Sequence, residues 1–171
     1  FSNVDRDYPC PNYVEIKENQ LRIRVNLKTG HKTGFFLDQR ENRLTLSQYC
    51  HGKEVVDCFC YTGGFGISAM LAGAKLVTGI DLDEQALETA QENAQLNGVK
   101  VVFKHANVFD HLRKMVSHGE QADVVVLDPA KLAGCTEEIK RAQRTYGDIN
   151  RLGMQTVRPG TKEPWHDLAP S

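Results

Sequence analysis

The chain has 171 residues, 40% hydrophobic and 25% charged, which is the balance of one globular domain and is too short for two ordinary ones. A net charge of −1 gives no general attraction to nucleic acid, no apolar run approaches the roughly 20 residues that cross a bilayer, and the polar start argues against a signal peptide. The five cysteines contain no CxxC pair, which favours a reducing, cytoplasmic setting and gives no spacing typical of a metal site.

The first predicted element is a β-hairpin over residues 13–26. Leu21, Ile23 and Val25 alternate with polar residues, so one face of the hairpin is expected to be buried and the other wet. The stretch from 17 to 43 contains seven Lys and Arg residues against three acids, which suits contact with an RNA backbone. A hairpin face that is exposed only to solvent would explain the same charges, so this alternative interpretation remains open. The candidate RNA-binding residues are Arg22, Arg24, Lys28 and Lys32.

Strands and helices alternate from residue 54 onward, after a predicted helix over 38–50. Predicted strands cover residues 54–58, 76–81, 101–103 and 124–127, and predicted helices cover 65–72, 83–97 and 136–157. This alternation predicts an α/β fold with a doubly wound, mostly parallel sheet. The last strand is apolar throughout, as expected for a central parallel strand covered on both faces.

Candidate ligand-binding residues follow the carboxyl ends of the predicted strands, where open α/β sheets bind their ligands. Gly63 and Gly64 follow the first strand, and clustered glycines let a backbone bend sharply and approach a ligand closely. The NAD-binding pattern GxGxxG is absent from this turn. Asp81 ends the second strand, where a carboxylate accepts hydrogen bonds from ribose hydroxyls. Asn107 could reach an adenine edge, and Asp128 would lie at the mouth of the pocket.

Three segments are together similar to the signatures of one family. They are HKTGFFLDQR at 31–40, CYTGGF at 60–65 and DPAK at 128–131. They resemble the S-adenosylmethionine-dependent methyltransferases that modify C5 of cytosine in large-subunit ribosomal RNA, and the resemblance extends over residues 13–160. It implies a class I, Rossmann-like methyltransferase fold, with S-adenosylmethionine as the cofactor and 23S ribosomal RNA as the partner.

The resemblance also implies roles for individual residues. Asp81 would hold the ribose of the cofactor, Asn107 would lie near its adenine, and Arg40 would pair with its methionine carboxylate. Asp128 would face the target base and form a hydrogen bond at N3. The implied cofactor-binding set is Gln39, Arg40, Asp57, Tyr61, Thr62, Gly63, Gly64, Asp81, Asn107 and Asp128.

Two departures from the family pattern bear on activity. Ala130 stands where a second proline is usual, and residues 161–171 stand where the family continues with a strand that carries a nucleophilic cysteine. Methylation at C5 needs a thiolate that adds to C6 of the base, and Cys135, on a different segment, is a poor substitute. The expected organisation is therefore an N-terminal extension with the hairpin over 1–37, a partial methyltransferase domain over 38–160 and a divergent tail over 161–171.

The divergent tail also leads to an expectation about the sheet. With the last strands missing, residues 124–127 become an exposed edge that can pair with another chain, so the chain is expected to self-associate and to lack cytosine methylation on its own. Two other functions stay open. The missing nucleophile favours a non-catalytic cofactor-binding or interaction module, whereas methylation of an exocyclic nitrogen is disfavoured by Lys131, since that chemistry prefers an aromatic residue at this position.

Overall fold

The computed structural model describes residues 11–27, 34–129 and 139–160. The predictions for Lys28, Lys32, Ala130, Lys131 and Cys135 lie outside the described residues, as do those for the tail over 161–171.

The predicted hairpin is present. Strands β1 (Tyr13–Glu18) and β2 (Leu21–Asn26) pair in antiparallel fashion, and Asn19 in the turn has a φ of 54°. Asparagine tolerates this left-handed conformation better than most residues. The buried side chains of β2 are the three that the alternation predicts: Leu21, Ile23 and Val25.

A four-stranded parallel sheet forms the centre of the structure. Its strands are β3 (Glu54–Cys58), β4 (Leu76–Asp81), β5 (Val102–His105) and β6 (Val124–Leu127), in the order β5-β4-β3-β6. The described α-helices are α1 (Arg40–Ser47), α2 (Gly64–Leu71), α3 (Glu84–Leu96), α4 (Val108–His118) and α5 (Ile139–Thr156), and a 3-10 turn, Leu37–Gln39, precedes α1. None of these helices is long and apolar enough to cross a membrane.

Helices cover both faces of this sheet, which confirms the predicted doubly wound fold. On β3, Val55 packs into an apolar cluster that includes the hairpin, α2 and α3. The next residue, Val56, points to the opposite face and packs into a second cluster with α4 and α5. Because successive side chains of a strand point to opposite faces, each strand contributes to two cores.

Helix α4 lies where the sequence analysis predicts no element. The side chain of Asn107 caps its first turn, Gly119 ends it with a φ of 68°, and Leu112 and Met115 are buried. Val108, Leu112 and Met115 follow one another at steps of four and three residues, which is helical periodicity. That spacing was the signal from which α4 could have been predicted.

Strand β6 stands at one end of the described sheet, and its four residues are half-buried. At its amino end, the N–H of Ala122 donates to the carbonyl of Thr156 at 2.9 Å, and the N–H of Arg158 donates to the carbonyl of Ala122 at 3.0 Å. Ala122 and Val157 thus form a parallel bridge. The sequence predicts that β6 is an interior strand. Within the described residues, its second side has a backbone neighbour only at this bridge.

Candidate functional site

The turn after β3 has an uncommon backbone. Phe59 and Tyr61 have φ values of 60° and 48°, and Gly63 follows with a φ of 83°. A non-glycine residue in this region costs on the order of 1–3 kcal/mol, so the surroundings must hold it there. The N–H of Cys60 donates to the carbonyl of Ile80 at 3.1 Å, and the N–H of Gly63 donates to the carbonyl of Cys60 at 2.8 Å. These bonds give the turn a fixed shape.

The sharp bend predicted at Gly63 and Gly64 is present, and packing explains both glycines. A Cβ at Gly63 would come within 3.1 Å of side-chain atoms of Ile67 and Phe103, and a Cβ at Gly64 would come within 3.2 Å of the Phe35 ring. The space that a side chain would need at each of these glycines is therefore occupied by other protein atoms. Contact with a ligand does not by itself require glycine at these two positions.

Asp57 is a buried carboxyl group at the end of β3, with 1% of its surface exposed. Its Oδ2 accepts a hydrogen bond from the N–H of Gly66 at 2.8 Å, whereas its Oδ1 is buried without a partner among the described residues. Burial raises the pKa of Asp57 to about 7, and the nearby carboxylates of Asp128 and Asp81 add to this rise. A cationic ligand group beside Oδ1 would supply the missing partner and would favour the ionised form of the carboxyl group.

Asp81 joins the ends of two loops. Its Oδ2 accepts a hydrogen bond from the N–H of Tyr61 at 2.8 Å, and its Oδ1 accepts one from the N–H of Asp83 at 3.0 Å. Each carboxylate oxygen can accept a second bond, so two hydroxyl groups of a ligand can still donate to Asp81. Helix capping belongs to Asp83, whose Oδ1 accepts from the N–H of Ala86 at 3.0 Å.

Asn107 is the N-cap of α4, a structural role that the sequence pattern did not predict. Its Oδ1 accepts hydrogen bonds from the N–H groups of Phe109 at 2.9 Å and Asp110 at 3.3 Å, which caps α4. The side chain is exposed at the carboxyl edge of the sheet, and its NH₂ group is left to donate. Only this half of the amide can serve the predicted contact with adenine.

Asp128 lies just past the end of β6 and is half-buried. No hydrogen-bond donor within the described ranges reaches its carboxylate. Partial burial raises the pKa of Asp128, the carboxylate of Asp38 raises it further, and the guanidinium of Arg43 opposes the rise. Within the described residues, both carboxylate oxygens of Asp128 are therefore available to a ligand.

Gln39 and Arg40 lie at the start of α1. The Oε1 of Gln39 accepts a hydrogen bond from the Nδ2 of Asn42 at 2.6 Å. The guanidinium of Arg40 is exposed, and its Nε lies 3.9 Å from an oxygen of Glu41. Such a loose surface pair contributes little stability, so Arg40 is able to turn toward a carboxylate ligand.

The basic stretch predicted for RNA contact is largely paired with acids where it is described. Arg22 and Arg24 approach Glu15 at 3.0 and 3.4 Å, and Arg24 also lies 3.5 Å from Glu92. The exposed fractions of the four side chains lie between 40% and 53%, so solvent screens these pairs. Both arginines are thus held on the wet face of the hairpin.

Arg43 belongs to the interior and not to the predicted basic surface. It is 3% exposed and binds Glu18, itself 8% exposed, through two hydrogen bonds of 2.8 and 2.6 Å. It also donates to the carbonyl of Phe36 at 3.1 Å and stacks 4.4 Å from the Phe35 ring centre. Nothing in the local sequence distinguishes Arg43 from its exposed neighbours, because its partner lies on the hairpin, 25 residues away.

Comparison with known families decides what kind of protein presents these groups at the carboxyl edge of a parallel sheet. A family described as S-adenosylmethionine-dependent methyltransferase matches residues 9–161, which is most of the chain. The chain belongs to this methyltransferase family. The glycine turn, Asp57, Asp81, Asn107 and Asp128 all fall within the matched region.

Relatives of this methyltransferase carry a more specific description. The chain is 46% identical over 153 residues to "Ribosomal RNA large subunit methyltransferase I" of Photobacterium profundum, and 47% identical over 150 residues to the protein of that name from Aeromonas salmonicida. These matches cover 88% and 86% of this chain but only 38% of either relative. The chain therefore spans about two fifths of the length of these relatives.

Solved structures agree with the fold of the methyltransferase. A methyltransferase crystallised with S-adenosylhomocysteine (SAH) matches with a TM-score of 0.76 and 27% identity, over 88% of this chain and 40% of that one. An S-adenosylmethionine-dependent methyltransferase from Agrobacterium tumefaciens matches with a TM-score of 0.78 and 17% identity, over 90% of this chain and 51% of that one. The second likeness concerns the fold alone.

The residues present fit the cofactor of this family. S-adenosylmethionine carries an ammonium group and a sulfonium centre, and the unpartnered Oδ1 of Asp57 is a buried acceptor in need of a cation or a donor. The carboxylates of Asp81 and Asp128 make the same edge of the sheet negative. A positively charged cofactor suits this charge better than a dinucleotide, whose phosphates would be repelled.

The chain has three cysteines among the described residues, and all of them are poor nucleophiles. Cys50, Cys58 and Cys60 are at most 5% exposed. Burial raises the pKa of Cys50 to about 11, and it raises the pKa of Cys58 and of Cys60 still further. Because the thiolate is the reactive form, none of these three is suited to attack a base at neutral pH.

Proposed function

We propose that the chain forms the S-adenosylmethionine-binding part of an enzyme that methylates C5 of a cytosine in 23S ribosomal RNA. The observation that carries the proposal is the set of three carboxyl groups, Asp57, Asp81 and Asp128, that lie at the ends of adjacent parallel strands beside a rigid glycine turn. The names of the relatives support ribosomal RNA as the substrate.

Each cofactor-binding residue has a proposed task. Asp81 would accept hydrogen bonds from the ribose hydroxyls, and Asp57 would face the positive methionine end, as its unpartnered oxygen suggests. Arg40 and Gln39 would reach the methionine carboxylate from the start of α1. The backbone of Tyr61, Thr62, Gly63 and Gly64 would line the turn, and the amide of Asn107 would reach adenine. When bound, the cofactor supplies an electrophilic methyl group.

The chain's own contribution to the chemistry centres on Asp128. Cytosine C5 becomes nucleophilic when a thiolate adds to C6, and this addition places charge at N3 and O2 of the base. A carboxyl group with a raised pKa can share its proton with N3 and so stabilise the adduct. We assign the nucleophile to none of Cys50, Cys58 and Cys60, because their thiols are buried and resist ionisation.

RNA would approach over the wet face of the hairpin. Arg22 and Arg24 lie on this face, and the pairs that they form with Glu15 and Glu92 are exposed enough to open in favour of phosphates. Lys28 and Lys32 extend the same basic sequence.

The test is a methylation assay on the natural protein that contains this sequence, with tritiated S-adenosylmethionine and protein-free large-subunit RNA. Bisulfite sequencing then locates any C5-methylated cytosine, since that base resists deamination. Transfer to C5 supports the proposal, and Asp128→Asn should lower the rate by about two orders of magnitude or more if Asp128 acts as a proton donor. A methyl group found on an exocyclic nitrogen by mass spectrometry would overturn the C5 assignment.

A non-catalytic binding module is the second candidate, favoured by the buried state of the three described cysteines. If the chain is such a module, the protein should bind SAH and should transfer no methyl group to any RNA. Calorimetric binding together with a blank methylation assay on the natural protein would decide for this candidate.

A further inference from the structure

Asn93 is a fully buried polar residue that connects the hairpin to the glycine turn. It lies on α3 and has no exposed surface. Its Oδ1 accepts a hydrogen bond from the N–H of Arg24 on β2 at 2.8 Å, and its Nδ2 donates to the carbonyl of Thr62 at 3.2 Å. One side-chain amide thus contacts two segments that are distant in sequence.

We infer that Asn93 is a positioning residue for cofactor binding, and that it makes the shape of the glycine turn depend on the docking of the hairpin. The inference rests on the proposed cofactor site. It adds that the hairpin supports this site through Asn93, in addition to any contact that its wet face makes with RNA.

The first step is that Asn93 fixes one peptide plane in the turn. The carbonyl of Thr62 is bound by Asn93, and the N–H of the same peptide unit, that of Gly63, donates to the carbonyl of Cys60 at 2.8 Å. The plane is therefore held at both ends. Gly63 at one end of this plane and Tyr61, the residue before Thr62, have left-handed backbone conformations. For a non-glycine residue such a conformation persists only when the surroundings over-determine it.

The second step is that Asn93 is itself oriented by the hairpin. A free amide could rotate about its last bond and present either atom to Thr62, but the N–H of Arg24 donates a hydrogen bond and therefore pairs only with the amide oxygen. This bond therefore directs the NH₂ group of Asn93 toward Thr62. Without the docked hairpin, the Asn93 oxygen would lose its donor, and the amide would lose the bond that directs its NH₂ group toward Thr62.

The chain offers a matched control one helical turn further along α3. Asn97 binds the same strand, since its Oδ1 accepts from the N–H of Arg22 at 2.9 Å and its Nδ2 donates to the Arg22 carbonyl at 2.6 Å. Asn97 makes no hydrogen bond to the glycine turn within the described residues. It therefore docks the hairpin without acting on the turn.

The experiment compares SAH binding by calorimetry, and thermal unfolding, for the 171-residue chain and its variants Asn93→Ala and Asn97→Ala. Both variants should unfold at lower temperature because each loses hydrogen bonds to β2. Only Asn93→Ala should weaken SAH binding, by about tenfold, the equivalent of one lost hydrogen bond of about 1.4 kcal/mol. Equal affinities of the two variants would overturn the inference.

A second variant covers the case in which Asn93→Ala does not fold. Asn93→Asp has the same shape and keeps the acceptor for Arg24, but its ionised form cannot donate to Thr62. Burial at this site raises the pKa of a carboxyl group above its ordinary value. Relative to the parent chain, the SAH affinity of Asn93→Asp should therefore be low at about pH 8.5 and should recover as the pH falls toward about 6 and the carboxyl group takes up a proton that it can donate. An affinity ratio that does not change with pH would contradict the role of the Asn93–Thr62 bond.

The two possible failures are distinguishable. If the parent chain binds SAH and Asn93→Ala binds it equally well, the positioning role is wrong and the cofactor site stands. If the folded parent chain binds no SAH at any pH, the proposed cofactor site is wrong, and the positioning role is overturned with it.

Discussion

Asp81 combines a structural contact with a proposed ligand contact in one carboxylate. Asp81→Ala should weaken SAH binding at least tenfold, because it removes acceptors for two ribose hydroxyls and a charge-assisted hydrogen bond is worth about 1.5–3 kcal/mol. The substitution also removes the carboxylate to which the N–H groups of Tyr61 and Asp83 donate. Calorimetry on the purified chain measures the effect.

The matched control for this prediction is Asp83→Ala, which removes the cap of α3 two residues later. It should lower stability by about 1 kcal/mol and leave SAH affinity unchanged. Equal SAH affinity in Asp81→Ala and the parent would remove Asp81 from the site, and tighter binding of NADH than of S-adenosylmethionine would refute the choice of cofactor.

Asp57 should make the stability of the empty protein depend on pH. Burial raises its pKa from 3.8 to about 7, so the folded protein holds a proton that the unfolded chain releases between these values. The free energy of unfolding therefore falls as pH rises through this window, by at most roughly 1.4 kcal/mol per pH unit, and the contribution levels off above the folded pKa. Urea denaturation at a series of pH values measures the slope.

Asp57→Asn should flatten this slope, since an amide has no proton to lose. Asp110→Asn is the control, because the Asp110 side chain is 66% exposed and should leave the slope unchanged. A cationic group bound beside Oδ1 would favour the ionised carboxyl, so the affinity for S-adenosylmethionine should increase as pH rises through about 7. An identical slope in parent and Asp57→Asn would show that Asp57 does not titrate in this range.

At the scale of elements, the hairpin is where the RNA proposal can be tested. Log K for single-stranded RNA should fall with log salt at a slope of about −0.7 per neutralised phosphate. Arg22→Gln and Arg24→Gln should each reduce that slope by about 0.7 if both arginines contact phosphates. Filter binding over a salt series gives the slopes.

Arg113→Gln is the control for the hairpin variants. Arg113 is an exposed, ion-paired arginine like Arg22, but it lies on α4, across the sheet from the hairpin. Its loss should leave the slope unchanged. If the hairpin variants behave like Arg113→Gln, the basic stretch is a solvated face and RNA binds elsewhere.

The elements that the sequence predicts well are those that local pattern determines. The alternation of Leu21, Ile23 and Val25 places the hairpin, and the apolar run at 124–127 places β6. Asp83 caps the start of α3 and Asn97 caps its end, as the sequence predicts. The ends of the predicted strands locate the carboxyl edge of the sheet, and the candidate site residues follow these strand ends directly in the sequence.

Long-range contacts are what local pattern does not contain. Asn93 is an unremarkable polar residue in a helix, and its partners Thr62 and Arg24 lie 31 and 69 residues away. Arg43 looks like one more surface cation until Glu18 is brought beside it by the packing of the hairpin. Both residues become meaningful only when the fold is complete.

At the scale of the whole molecule, β6 bears on how the chain behaves in solution. Val124–Leu127 pairs with β3, and within the described residues its other side is met only by the bridge between Ala122 and Val157. Half-buried apolar residues beside unpaired backbone groups promote pairing between chains. We expect the 171-residue chain to associate reversibly, with a sedimentation coefficient that rises with protein concentration and a broad, low-temperature melt.

A monomer with a sharp transition at high temperature would contradict this expectation.

The proposed extent of the domains, 1–37 and 38–160, is tested by the same preparations, because limited proteolysis cuts first between units that fold separately. The structure packs the hairpin into the core around Val55, so cleavage near residue 37 should not release a folded hairpin.

If Asn93 couples the hairpin to the glycine turn, the hairpin should also respond to cofactor binding. Coupling between two sites is reciprocal: if the docked hairpin tightens the glycine turn, a cofactor that tightens the turn must hold the hairpin more firmly. Hydrogen–deuterium exchange reads this directly, because the N–H of Arg24 is the one bound to Asn93. SAH should slow exchange at Arg24 more than at Arg22, whose N–H is bound to Asn97. Protection of β2 would then report on cofactor binding at the glycine turn.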